Sequence, residues 1–174
     1  ADCNLSSGES LVRQVMYGKR FFRDEFGGNS HILWLPDVFG ISAALPQILK
    51  KSGVDYFVTA KIGWNDTNKM PSDTFYWQGI DGTKVFTHFN KTIGFPTPME
   101  FMENMTGDAK KYKSMNERSV TKKRLAAFGY GDGGGGPMYE MSETIRRMQD
   151  LNGCPRLKYS TVTEFMQEME AEVK

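Results

Sequence analysis

The stretch HILWLPDVFGISAALPQILKKSGVDYFVTAK, residues 31–61, decides the fold. It opens with an apolar run of strand length that stops at Pro36 and ends with a second apolar run, DYFVTAK. Between them lies a segment with helical spacing that Gly53 ends, and its inward-facing residues are Ala44, Leu45, Ile48 and Leu49. Strand–loop–helix–strand units are the right-handed crossovers that join parallel strands. The stretch therefore predicts a parallel sheet.

The flanking segments predict a helix before this unit and a hairpin after it. Residues 6–26 begin with a serine cap, end at Gly27 and Gly28, and carry apolar residues on one helical face: Leu11, Val12, Val15, Met16 and Phe22. The run TFYWQGIDGTKVFTHF, residues 74–89, has two strand-like halves around Asp81-Gly82, a pair typical of hairpin turns. We therefore expect an antiparallel hairpin on an otherwise parallel sheet.

The last third of the chain predicts further strands and helices. Residues 92–124 show only a weak pattern, which indicates loop and short helices. RLAAFGY (124–130) predicts a strand, GDGGGGP (131–137) a loop, and RLKYST (156–161) a last strand. Two helices are indicated by the spacing of Met141, Ile145, Met148 and Leu151, and of Val162, Phe165, Met166, Met169 and Val173. No repeat or linker divides the chain, so we expect one α/β domain over residues 1–174, with helices flanking a mostly parallel sheet.

The composition limits the classes of molecule that the chain is expected to bind. The 174 residues carry 22 basic and 21 acidic side chains, so no overall field attracts nucleic acid or an anionic membrane. Basic clusters at residues 110–113 and 122–124 are typical of a solvated surface. Cys3 and Cys154 lack metal-ligand spacing and predict free thiols in a reducing compartment, the cytoplasm. The sequence has no apolar run of membrane-spanning length.

Several polar residues stand where predicted strands end. These are Asp37, Lys61 with Asn65, His88 and Asp132. Each has a structural alternative, since an aspartate often caps a helix, a lysine is often solvated and a histidine is often a satisfied core group. Ligands in parallel sheets, however, bind at the carboxyl ends of strands, so the shared placement of these residues predicts a site.

The glycine run after Asp132 allows two interpretations. Gly129, Gly131 and Gly134 match G-x-G-x-x-G between a strand and a helix, which is typical of a nucleotide-binding loop. Asp132 inside that loop would repel a pyrophosphate, and the acidic ribose ligand expected about 20 residues later is missing from a strand end. Two carboxylates with nearby aromatic residues suit a retaining glycosidase better, because it needs a nucleophile and an acid/base about 5 to 5.5 Å apart.

Four blocks carry a resemblance to a known family: ADCNLSSGESLVRQ, WLPDVFGISAALPQILKKSGVDYF, TFYWQGIDGTKVFTHF and GYGDGGGGP. They resemble the catalytic domain of family 38 glycoside hydrolases, the zinc-dependent retaining α-mannosidases, in their bacterial and cytosolic-type branch. The resemblance runs from Asp2 to about Pro137 and continues less distinctly to the end. It implies that the chain is part of a distorted β/α barrel-like catalytic domain that hydrolyses terminal α-mannosides.

The resemblance also implies roles for individual residues. Asp37, in the D-x-F-G motif, corresponds to the nucleophile, which in the family is also a zinc ligand. Phe39 is similar to an aromatic residue that packs on the sugar. Lys61 stands where a cation lies close to the nucleophile, and Asp2 lies in a block that belongs to the site. Asp132 is the candidate general acid/base, and we count the strand-end His88 with the substrate-binding residues.

Two departures from the family pattern limit these expectations. Ile41 stands where the family commonly has Tyr or His. The family's zinc also requires a His and an Asp from an earlier strand and a later His, and neither His31 nor His88 occupies such a position. One carboxylate cannot hold Zn²⁺, which takes three protein ligands in catalytic sites. We therefore expect the isolated chain to be inactive and the remainder of the same polypeptide to be its partner in the intact enzyme. We also expect the isolated chain to self-associate through an exposed apolar edge. A non-catalytic carbohydrate-binding or scaffold domain stays an alternative.

Overall fold

The structure, a computed structural model, describes residues 2–68, 70–106, 121, 123–132 and 134–173. The described residues form two compact units, one from residues 2–68 and 73–89 and the other from residues 70–72 and 90–173. The predicted basic cluster at residues 110–113 lies outside the described residues, as does residue 122 of the cluster at residues 122–124. Each unit has its own hydrophobic core and is described separately below.

A four-stranded sheet forms the first unit, and it contains the predicted strand–loop–helix–strand stretch. Its elements are β1 (Ile32–Leu35), α2 (Leu45–Lys51), β2 (Tyr56–Thr59), β3 (Thr74–Gln78) and β4 (Lys84–Phe89). The strand order is β1-β2-β4-β3, with β1, β2 and β4 parallel and α2 as the connection from β1 to β2. Leu45, Ile48 and Leu49 of α2 are buried against Phe57 and Val85. The predicted parallel unit is confirmed.

The predicted hairpin is also confirmed. Strands β3 and β4 pair antiparallel from Thr74–His88 to Gln78–Lys84. At the turn, Gly82 has φ +82°, which an L side chain rarely adopts, and the Asp81 carboxylate accepts hydrogen bonds from the backbone and side chain of Thr83. Local turn chemistry therefore determines where the sheet reverses direction.

The first helix begins and ends as predicted, but its buried face is shorter. Helix α1 (Gly8–Phe26) is capped by the Ser7 side chain and ends at Gly27 in the left-handed conformation. Leu11 is buried and Val15 packs on the core, whereas Val12, Met16 and Phe22 are exposed, so the predicted inward face is wrong at these three positions. The Lys19 ammonium donates to the carbonyls of Ser52 and Gly53, and beyond it three phenylalanines pack mainly on one another: Phe21, Phe22 and Phe26.

In the second unit, the described residues form a parallel strand pair and three helices. Its elements are β5 (Lys91–Ile93), α3 (Pro98–Thr106), β6 (Ala126–Phe128), α4 (Tyr139–Met148) and α5 (Val162–Val173). Most of the predicted inward residues of α4 and α5 are buried: Met141, Ile145, Met148, Phe165, Met166 and Met169. The exceptions are Leu151, which follows α4 and is exposed, and Val162 and Val173, which lie at the ends of α5. Strand β5 falls in the segment predicted as loop, because its three residues are too short for alternation to show.

The predicted strand at residues 156–161 is wrong. Among the described residues this segment pairs with no strand. Leu157 donates its N–H to the Gln149 carbonyl and the Tyr159 hydroxyl donates to the Ser142 carbonyl, so the segment is held against the α4 region by single hydrogen bonds. A strand-like composition does not make a strand by itself, because strand preference depends on packing against neighbouring residues.

The architecture is thus a mixed α/β arrangement of sheets and helices. The described strands form one four-stranded and one two-stranded sheet. Neither Cys3 nor Cys154 forms a disulfide bond, and burial of Cys3 raises the pKa of its thiol. No helix within the described part of the chain combines the length and the apolar character that a membrane span requires.

Candidate functional site

Strand register brings Asp37 and Lys61 to the same edge of the first sheet. Leu35 and Thr59 are paired in the parallel ladder, and each of the two polar residues lies two positions beyond its strand's last residue. The Lys61 ammonium lies 3.3 Å from Oδ1 of Asp37. The rule that parallel strands present their carboxyl ends together therefore explains this pair.

A short 3-10 turn adds an indole ring to the pair. Residues Lys61–Gly63 form one turn, and the Trp64 N–H donates to the Lys61 carbonyl at 3.0 Å. Side chains three residues apart eclipse in this geometry, so Lys61 and Trp64 lie one above the other. The ammonium stands 3.7 Å from the centre of the Trp64 ring and 5.5 Å from that of Phe39, and the two rings meet edge to face at 6.0 Å.

We call these four residues the Asp37 cluster: Asp37, Phe39, Lys61 and Trp64. The cluster combines a shielded cation with an exposed carboxylate and exposed aromatic rings. The Lys61 side chain is 18% exposed, whereas that of Asp37 is 62% exposed. Phe39 is 55% and Trp64 69% exposed. An ion pair as accessible as this one adds little to stability. Its arrangement instead leaves a carboxylate available to a molecule arriving from solvent, beside two aromatic faces.

The N-terminal block packs beside this loop. Cys3 forms a parallel bridge with Ile41, and Gly40, at φ +91°, lies so close to Asn4 that an added Cβ would stand 3.0 Å from the asparagine Cβ. The side chain of Ile41 packs on the apolar core, which accounts for an apolar residue where the resembled family has Tyr or His. The sequence contains no pattern that predicts this bridge.

Asp2 organises its own turn within that block. Its Oδ1 accepts hydrogen bonds from the backbone N–H groups of Asn4 at 2.8 Å and Leu5 at 2.9 Å. These two bonds lower the pKa of the Asp2 carboxyl. Asn65 behaves similarly, since its side-chain oxygen accepts from the backbone of Thr67 and Asn68. A substrate-binding role for Asp2 stays a prediction.

His88 does not lie on the exposed edge. It is inside β4, fully buried, and its Nδ1 is 2.9 Å from the Thr74 hydroxyl on the neighbouring strand. The placement past a strand end is therefore wrong, because β4 continues to Phe89 and, apart from Lys84 at its start, is buried on both faces. Such a ring is typical of a satisfied core histidine. Its predicted contact with substrate stays a prediction, and the buried position gives it no support.

Asp132 belongs to the second unit, in the loop between β6 and α4. It is exposed and has φ +54°, a conformation that aspartate tolerates better than most residues. The Gly129 N–H donates to the Ile93 carbonyl, and the Tyr130 N–H donates to the Gly136 carbonyl at 3.1 Å. A Cβ on Gly129 would stand 2.9 Å from the Pro137 nitrogen, and one on Gly135 would stand 2.7 Å from the Tyr130 carbonyl carbon. Two of the glycines are thus explained by the loop packing on itself.

The side chains that could donate to a metal ion decide whether the described residues fit the predicted zinc site. Within the described ranges, no three His, Cys, Asp or Glu side chains are grouped so that they could hold a metal ion. Asp37 offers one carboxylate, and its Oδ1 faces the Lys61 ammonium. Since catalytic zinc takes three protein ligands, these residues alone do not fit a zinc site. A cavity of about 550 Å³ in the second unit contains none of the predicted site residues.

Alpha-mannosidases are among the known proteins that this chain resembles in sequence. Alpha-mannosidase G of Dictyostelium discoideum is 40% identical over 173 residues, which are 97% of this chain and 15% of that protein. Alpha-mannosidase of Saccharomyces cerevisiae is 40% identical over 171 residues, 94% of this chain and 15% of that protein. The chain therefore spans about 15% of the length of these relatives.

The fold has a counterpart among solved structures. The crystal structure of an alpha-mannosidase from Enterococcus faecalis V583 superposes with a TM-score of 0.73 at 15% identity, over 99% of this chain and 20% of that one. The model of the glycosyl hydrolases family 38 N-terminal domain matches residues 1–174. This chain belongs to the glycosyl hydrolase family 38 N-terminal domain family.

Proposed function

We propose that this chain is the part of a retaining α-mannosidase that carries the catalytic nucleophile, Asp37. The observation that supports this most directly is the Lys61–Asp37 ion pair, with its exposed carboxylate beside the Phe39 ring. Relatives named alpha-mannosidases across nearly the whole chain support the substrate class, a terminal α-mannoside. The finer architecture, a distorted β/α barrel-like domain completed by further chain, is part of the same proposal.

The chemistry assigned to Asp37 is nucleophilic attack. A carboxylate oxygen of Asp37 forms a bond to the anomeric carbon while the bond from that carbon to the leaving oxygen breaks, which gives a covalent glycosyl ester. Lys61 is a fixed cation that keeps the attacking group in place, because two aromatic rings and a 3-10 turn restrict its position. Phe39 supplies an apolar surface for the sugar ring.

Asp132 is the proposed general acid and then base. It would donate its proton to the leaving oxygen and later take a proton from the water that hydrolyses the ester. Its exposure and its position after a parallel strand support the proposal, as does the conformational freedom of the glycines around it. Asp2, and more weakly His88, are kept as proposed substrate-binding residues.

Zinc is proposed only for a protein that supplies further ligands. Asp37 would be one of them, and the described residues hold no complete set. No step above depends on a metal. The proposal accordingly includes an inactive isolated chain, which needs the remainder of a longer polypeptide and exposes apolar surface such as that of Phe21, Phe22 and Phe26 for self-association. Cytoplasmic location is likewise a proposal.

Covalent trapping tests the central assignment. An enzyme that contains this chain within a length like that of its relatives is incubated with 5-fluoro-α-mannosyl fluoride, whose ester intermediate hydrolyses slowly. Peptide mass spectrometry should locate the added fluoromannosyl group on Asp37. Asp37→Asn should abolish labelling, whereas Asp24→Asn, a matched change on exposed helix α1, should leave it unchanged. A label on another carboxylate would refute the assignment.

The same experiment separates the alternatives. A non-catalytic carbohydrate-binding domain would bind mannoside without acquiring a label. The nucleotide-binding alternative requires free backbone donors in the loop at residues 129–136, yet Gly129 and Tyr130 already donate within the unit. A calorimetric titration with ATP and NAD that released measurable heat would favour it over the mannosidase.

A further inference from the structure

Trp64 has no role in the mechanism above, yet it is the most exposed aromatic side chain of the Asp37 cluster. An exposed indole presents a large apolar face, which a ligand can remove from water. Here the ring receives the Lys61 ammonium at 3.7 Å and forms an edge-to-face contact with Phe39. With 69% of the residue exposed, much of the remaining ring surface faces solvent.

The orientation of this ring is set before any ligand binds. The backbone bond from Trp64 to Lys61 closes the 3-10 turn, and the cation–π contact and the edge-to-face contact with Phe39 restrict the side chain from two directions. A ring held in this way loses little conformational entropy on binding, which is the condition for a preorganised contact surface. Lys61 links the ring directly to the Asp37 carboxylate through its ion pair.

We propose that Trp64 is a substrate-contacting residue of this site, which holds Lys61 with one face of its indole and packs against the C–H face of a bound mannose ring with the exposed remainder. A hexose ring presents several C–H groups on one side, and these are attracted to the negative face of an aromatic ring. This inference rests on the proposed function, because it assumes that the Asp37 cluster binds a mannoside.

Nuclear magnetic resonance of the 174-residue chain tests the contact without requiring turnover. The chain has three tryptophans, so three indole N–H signals can be assigned by single Trp→Phe variants. On titration with methyl α-mannoside, we expect the Trp64 indole signal and the backbone N–H signals of residues 37–40 to shift along one binding curve. Trp77, which packs on Phe57 in the core, is the internal control and should not shift.

Two variants sharpen the test. Trp64→Leu should weaken binding, read from the signals of residues 37–40, by about tenfold, the size of one lost aromatic contact. Trp64→Phe keeps an aromatic face and should stay within about threefold of the parent. Because Trp64 is exposed, we expect both variants to fold. A Trp64 indole signal that does not shift during the titration overturns the inference even if a variant fails to fold.

The outcomes distinguish the two proposals. If residues 37–40 shift but the Trp64 indole signal does not, or if Trp64→Leu binds as tightly as the parent, the Trp64 inference is overturned and the proposed function stands. If mannoside shifts neither set of signals, the Trp64 inference is overturned as well, whereas the proposed function, which assigns catalysis to a longer polypeptide, is decided separately by covalent trapping at Asp37.

Discussion

The loop after β1 and the loop after β6 each place an aspartate just beyond a parallel strand, but they are held by opposite means. Asp37 faces Lys61, which two aromatic rings restrict, while the neighbouring Gly40 and Ile41 pack against the N-terminal block. Asp132 lies in a glycine-rich loop closed by backbone bonds, and its carboxylate pairs with none of the other residues that the structure describes. Side chains therefore orient the first carboxylate, whereas the backbone of its loop positions the second.

Removing Asp37 should have the largest effect. In an active enzyme containing this chain, Asp37→Ala should lower kcat/KM by about 10⁴-fold or more on every α-mannoside, since no other group in this loop can form the glycosyl ester. Steady-state assays with one aryl and one alkyl mannoside measure it. The matched change Asp24→Ala on α1 should leave kcat/KM unchanged. A variant that kept a tenth of the activity would exclude Asp37 as nucleophile.

Removing Asp132 should have a smaller, substrate-dependent effect. Loss of a general acid costs about 10²- to 10⁴-fold when the leaving group needs a proton. Asp132→Ala should therefore be strongly impaired on methyl α-mannoside and far less impaired in forming the intermediate from 2,4-dinitrophenyl α-mannoside. Comparing single-turnover rates on both substrates isolates this step. Equal losses on the two substrates would show that Asp132 does not supply the acid.

The Asp37 loop was largely predictable because local and long-range signals agree there. Pro36 ends an apolar run, and the helix pattern of residues 44–49 forces a parallel crossover, so the strand ends had to align Asp37 with Lys61. The Cys3–Ile41 bridge was not predictable, since it joins segments nearly 40 residues apart through backbone contacts that leave no pattern in the sequence. The packing of the Trp64 ring on Lys61 was not predictable either, since it depends on a 3-10 turn too short for periodicity to reveal.

Predictions failed where burial depends on neighbours. The apolar stripe of α1 predicts a buried face over its whole length, yet the core of its unit reaches only Leu11 and Val15. The prediction placed His88 at the strand end because the length of β4 cannot be read from composition. The strand continues to Phe89, so His88 lies in the core and not at the edge. Residues 156–161 have strand-like composition but pair with none of the described strands.

Glycine substitutions test whether the loop after β6 depends on backbone packing. Gly135→Ala places a Cβ 2.7 Å from the Tyr130 carbonyl carbon and should destabilise the protein by about 1–3 kcal/mol, because two backbone segments must separate. Gly136→Ala is the matched control, since no atom lies within 4 Å of its added Cβ and its φ is not positive. It should change stability by less than about 1 kcal/mol. Urea unfolding measures both, and equal effects would contradict the self-packed loop.

The smallest effect is expected from removing the charge of Asp2, whose side chain accepts hydrogen bonds from Asn4 and Leu5 beside the Asp37 loop. The pKa of Asp2 is lowered from 3.8 by hydrogen bonds from Asn4 and Leu5, so the turn gains stability above pH 3.8 that is lost as the pH falls through the lowered value. Asp2→Asn keeps an acceptor oxygen and does not titrate. At pH 7 it should unfold close to the parent temperature, and between pH 5 and about pH 2 its midpoint should fall slightly less. Other carboxylates with lowered pKa values, such as Asp55, are common to both proteins and cancel in this difference. Parallel thermal midpoints of the two proteins across that pH range would show the Asp2 turn to be irrelevant to stability.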